Sequence, residues 1–126
     1  MEHRVAIERK SAEDCWGTVM GWETGKEKEK GSASRRERFE KELENLSKIE
    51  AGAIVVEASL GACVQQVPQW GKKTNAVNRK IFFRSVLAYQ QDYGAQWIFC
   101  DTRRLAEQAT FRWLERFYRH HKDETK

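Results

Sequence analysis

Long apolar runs are missing from this chain of 126 residues. None approaches the roughly 20 apolar residues that a bilayer-spanning helix needs, so no membrane partner is expected. No signal-peptide pattern opens the chain either: Met1-Glu2-His3-Arg4 leads straight into charged sequence, and a cytoplasmic location is the expectation. Cysteine is scarce. Cys15, Cys63 and Cys100 are odd in number and lack any Cys-x-x-Cys spacing, which argues against a zinc site or a disulfide framework and for reduced, buried thiols. Histidine offers no obvious ligand set, because His120 and His121 are adjacent on a helix and point about 100° apart; a solvated C-terminal turn is the reading for them. Proline occurs once, at Pro68, in a loop.

What is present fits one soluble domain spanning residues 1–126. The hydrophobic content is 40%, with five Trp and six Phe, which argues against global disorder. A chain of this length buries roughly two thirds of its unfolded surface, enough for one core and too little for two. The net charge of +4 is too small to name a partner. Its distribution says more: between Glu57 and Asp92 there is no carboxylate, while Lys72, Lys73, Arg79, Lys80 and Arg84 accumulate. These cations could meet phosphates near the start of a long helix, where the macrodipole helps, and Trp70 beside them could stack on an unpaired base. An ordinary solvated helix face is the other reading.

Periodicity gives an alternating α/β order. Residues 4–9 read as a strand, 12–22 as a helix, and 23–33, with Lys-Glu-Lys-Glu-Lys between two glycines, as a flexible charged loop. Ser34-Arg35-Arg36-Glu37 is a capping box. It opens a helix whose Phe39, Leu43, Leu46 and Ile49 form a 3.6-residue stripe and which Gly52 is expected to end. Residues 53–58 read as a central strand, apolar on both faces. A short helical turn over 60–66, a long helix over 75–93 closed by Gly94, a strand over 97–100 and a last helix over 102–120 follow. In that last helix Leu105, Ala109, Leu114 and Phe117 are expected to face inward, and residues 119–126 form a charged tail. Strands separated by helices imply a small, mostly parallel sheet covered by helices.

The densest chemistry lies at Glu8, Arg9, Lys10 and Asp14. In a strand, Glu8 and Lys10 project from one face while Arg9 points away. Ser11-Ala12-Glu13-Asp14 fits a capping box, so a helix carrying Asp14 starts at once and brings the charges to one rim. Glu8 could hold a cation and Lys10 could neutralise a phosphate. The Glu-x-Lys spacing alone is weak, since about one copy is expected by chance and a second occurs at Glu124 and Lys126. Glu57 is read two ways, as a further carboxylate turned toward Glu8 or as a strand end in water. Arg38 either orients the site or pairs with Glu42 one turn on.

In context, Val-Ala-Ile-Glu-Arg-Lys-Ser-x-x-Asp resembles the Glu-Arg-Lys-x-x-x-Asp signature of the XPF-type structure-specific endonucleases, a branch of the restriction-endonuclease-like nucleases. The helix opening at Arg35-Arg36-Glu37-Arg38, the strand Ala53-Ile54-Val55-Val56-Glu57-Ala58, and the segments 75–93 and 96–99 resemble the elements that follow in that family. The likeness is nearest to compact bacterial and phage-borne versions. It implies a restriction-endonuclease-like core, N-terminally truncated, because the family's earlier Gly-Asp-Tyr-like segment, whose Asp binds metal, has no counterpart before Glu8. It further implies a metal-dependent endonuclease domain hydrolysing phosphodiester bonds in branched or partly single-stranded DNA. Glu8, Arg9, Lys10 and Asp14 would form the catalytic set, and Mg²⁺ or Mn²⁺ would be held by Glu8 and Asp14, with Glu57 as a further candidate. DNA would meet Arg38, Trp70, Lys72, Lys73, Arg79, Lys80 and Arg84, and a homodimer or partner subunit would complete the assembly. A non-catalytic DNA-binding or dimerisation module of the same fold is the alternative.

Overall fold

The computed structural model describes residues 4–22 and 34–121; the charged loop expected over 23–33 and residues 122–126 of the tail lie outside them. The elements are β1 (Val5–Lys10), α1 (Ala12–Met20), α2 (Arg35–Ser47), β2 (Ala51–Val56), α3 (Leu60–Gln66), α4 (Asn75–Asp92), β3 (Gln96–Phe99) and α5 (Arg103–His121). The three strands form one parallel sheet in the order β1-β2-β3. The protein is therefore α/β, with a small parallel sheet flanked by helices.

β2 is central because its side chains suit two buried faces: Ala53, Ile54, Val55 and Val56 are all fully buried. The two faces are unequal. On one, Ile54 and Val56 join Cys15 and Val19 of α1, Phe39, Leu43 and Leu46 of α2, Cys63 of α3, and Phe82, Val86 and Tyr89 of α4 in the main core. On the other, Val55, Cys100 and Ala106 form a small cluster, joined by Ile7, Ile98 and Ala109 and covered by α5. Serine and threonine caps set where the helices begin. Ser11, Ser34 and Ser59 accept hydrogen bonds from the backbone N–H of Asp14, Glu37 and Ala62 at 3.0–3.1 Å, and Thr74 and Thr102 cap α4 and α5 in the same way.

Several boundaries differ from the sequence reading, each for a physical reason. α1 stops at Met20, short of Trp22, because Gly21 takes the left-handed conformation (φ 71°) and its N–H returns to the carbonyls of Gly17 and Thr18. Gly52 does not end α2; it is the second residue of β2. It is small because the strand passes directly under the end of α2, where a Cβ on residue 52 would lie 2.4 Å from the Leu46 carbonyl oxygen. On α5 the inward stripe is Ala106, Ala109, Trp113, Phe117 and His121, and Leu105 lies on the exposed side. Trp113 secures this register by donating its Nε1–H to the Ala51 carbonyl at 3.1 Å. His121 is buried rather than solvated, with Nε2 3.2 Å from Glu50 Oε1.

Candidate functional site

β1 ends at Lys10 and α1 begins two residues later, so the strand's last side chains and the helix's first turn share one rim. Glu8 and Lys10 pair with Ile54 and Val56 and lie on the main-core face of the sheet. Arg9 pairs with Val55 and turns to the opposite face. The structure thus brings Glu8 and Lys10 together, with Lys10 Nζ 4.0 Å from Glu8 Oε1. Asp14 is exposed in the first turn of α1, where the Ser11 cap holds its backbone.

Lys10 is the unusual member of the group. Its side chain is only 10% exposed, yet it sits at the rim and carries a charge. Two features compensate the burial. Nζ lies 3.7 Å from Glu42 Oε1 as well as close to Glu8, and it stands 5.3 Å from the centre of the Phe39 ring. Phe39 and Glu42 are three residues apart on α2, which places both over the end of β1. Glu42 is the neighbour of Lys10 that sequence reasoning misses; helical spacing offers it to Arg38, and the structure brings it to Lys10. A signal is present, since Glu42 borders the apolar stripe Phe39, Leu43 and Leu46 that faces the sheet.

Burial raises the Glu42 pKa, Lys10 offsets part of that, and Glu8 adds to it. A carboxyl whose folded pKa is raised contributes stability that is present below its ordinary value of 4.5 and is lost as pH rises through the folded pKa. Measured against Glu42→Gln, wild-type protein is therefore expected to lose melting temperature as pH rises from below 4.5 toward neutrality. A constant difference between the two proteins across that range would contradict this account.

Glu57 is not brought to Glu8. It ion-pairs and hydrogen-bonds with the Arg9 guanidinium on the α5 side of the sheet, so neither residue reaches the Lys10 face. Of the two readings of Glu57, a ligand turned toward Glu8 is displaced by a partner of Arg9. Among the described residues, no group of three or more His, Cys, Asp or Glu side chains is arranged to hold a metal ion. The donors near Lys10 are carboxylate oxygens, the type a hard divalent cation prefers. The ammonium between Glu8 and Glu42 already neutralises part of that charge.

The basic region divides. Lys72, Lys73, Lys80 and Arg84 are all exposed at the surface. Arg79 donates to the Gln65 carbonyl at 2.8 Å, which ties α4 to α3. Trp70 is 45% exposed and stacks on Trp22, with ring centres 4.8 Å apart and planes within 14°; Trp22 in turn meets Trp16 edge-on at 5.4 Å. One face of the Trp70 ring is thus occupied by protein. Arg38 is exposed on α2, one turn before Glu42. No protein-family model, curated protein or solved structure matches the chain. Among the described residues no helix is long and apolar enough to cross a membrane.

Proposed function

We propose that the chain is a restriction-endonuclease-like domain that hydrolyses DNA phosphodiester bonds at the β1–α1 rim. The observation that carries this reading is Lys10, an ammonium held against Glu8 on the strand's core face, one residue before the Ser11-capped helix bearing Asp14. It agrees with the Glu8, Lys10 and Asp14 pattern that suggested the chemistry. A bound Mg²⁺ or Mn²⁺ would activate a water and polarise the phosphate. Glu8 and Asp14 would hold it, and Lys10 would counter charge developing on the phosphate oxygens. Arg9, locked to Glu57, supports β1 from behind and does not touch substrate.

A second reading has its own observation. Lys10 is already satisfied by two carboxylates and an aromatic face, which suits a structural ion pair in a non-catalytic DNA-binding module of the same fold. Metal response separates the two. Mn²⁺ is expected to raise the wild-type melting temperature by mass action, and the double variant Glu8→Gln, Asp14→Asn is expected to fold but lose that response. Equal stabilisation of both proteins would remove the metal site.

DNA binding is tested separately. Replacing Lys72, Lys73, Lys80 and Arg84 with Gln is expected to weaken binding to branched DNA and to flatten its salt dependence by about one unit of slope for each phosphate no longer neutralised. Arg79 is omitted because its guanidinium is engaged by Gln65, and its removal would loosen α3 from α4. An unchanged slope would assign these cations to solvent.

A further inference from the structure

The structure brings together two cysteines that lie far apart in the sequence. Cys15 and Cys63 are both fully buried, both free, and both members of the main core. Their meeting follows from the fold. β1 and β2 are parallel neighbours with Lys10 opposite Val56, and each is followed by a Ser-capped helix, so α1 and α3 leave the same edge of the sheet and pack together. Each cysteine stands four residues after its cap, and each donates its backbone N–H to the cap carbonyl at 2.9 Å. Equivalent positions on adjacent, packed helices bring the two thiols together in one core cluster. Cys100 lies in the other cluster, with Val55 and Ala106.

We infer that Cys15 and Cys63 form a redox site, a dithiol that a hydroperoxide converts to an intramolecular disulfide joining α1 to α3. In the first step one thiol sulfur attacks the peroxide's terminal oxygen. The O–O bond breaks, the alcohol or water leaves with the proton, and a sulfenic acid remains. In the second step the other sulfur attacks that sulfenic sulfur; the S–S bond forms, the S–O bond breaks, and water leaves with the second thiol's proton. Two thiols are oxidised by two electrons and one peroxide is reduced.

Burial slows this chemistry without preventing it. α3 has only seven residues, and Gly61, two before Cys63, is exposed with open space where a Cβ would be. α3 is thus a short helix with an open outer face beside Cys63, and its local opening would admit a molecule as small as hydrogen peroxide.

The test treats the native full chain with a small excess of hydrogen peroxide, alkylates it in denaturant and measures intact mass and a peptide map. The expected product has a single alkylated cysteine, Cys100, and a Cys15–Cys63 cross-link, and Cys63→Ala loses the cross-link. The same treatment in denaturant is expected to scatter the pairings among all three cysteines. Three alkylated cysteines, oxygen adducts on separate cysteines, or the same scattered pairings from native protein would each overturn the inference. Because the wild-type map is itself decisive, a misfolded Cys63→Ala variant leaves the test intact.

Discussion

Lys10→Ala is expected to leave binding to branched DNA nearly unchanged while lowering Mn²⁺-dependent cleavage on the order of a hundredfold or more. Binding would be spared because Lys10 is nearly buried and its Nζ is confined between Glu8 and Glu42, whereas the cations proposed to meet the DNA backbone lie on α4 and the turn before it. Turnover would suffer because the ammonium beside Glu8 is removed from the place where transition-state charge would grow. The substitution also leaves Glu42 without its cation, so its carboxyl pKa should climb further. Melting temperature must therefore be measured alongside the rates, and Lys10→Met, which keeps the packing over Phe39, serves as the companion variant. If both variants remain folded and cleave like wild type, Lys10 belongs to the framework.

Gly52→Ala is expected to be among the most destabilising of single-carbon additions. A new Cβ 2.4 Å from the Leu46 carbonyl oxygen meets backbone, with no flexible side chain to yield. The Leu46 carbonyl also accepts from the Ile49 N–H at 3.1 Å, so the end of α2 and the start of β2 would have to move together. Overpacking of this kind costs about 3 kcal/mol. For a domain of this size that is a fall in melting temperature on the order of 10 °C, read by calorimetry or circular dichroism. A shift of only a degree or two would mean that the α2–β2 junction is looser than its geometry indicates.

The sequence carried the order of elements well where local chemistry and periodicity agreed. Ser11 and Ser34 cap helices where their side chains suggested, and the doubly apolar run read over 53–58 falls on the central strand, which ends at Val56. It carried less where tertiary contact overrides a local rule. Gly52 looks like a helix stop by composition, but it is glycine because two backbones meet there, which no single segment records. Leu105 looks like a core residue, but Trp113 bonding Ala51 rotates α5 so that Ala106 packs inward.

The site divides in the same way. Period two was enough to put Glu8 beside Lys10 and Arg9 on the other face. The identity of the partners across the fold, Glu42 for Lys10 and Glu57 for Arg9, depends on how α2 crosses the sheet and where β2 ends. Those pairs join residues more than thirty positions apart, beyond the reach of any local pattern.

The most direct test of the proposed function is a cleavage assay. Purified wild-type protein is incubated with end-labelled branched DNA and either Mg²⁺ or Mn²⁺, beside the Glu8→Gln, Asp14→Asn variant. The account predicts metal-dependent cuts near the branch by wild type and none by the variant, with DNA binding retained by both. Binding without cutting by wild type under either metal would contradict the nuclease assignment and leave the rim as the structural ion pair of a DNA-binding module.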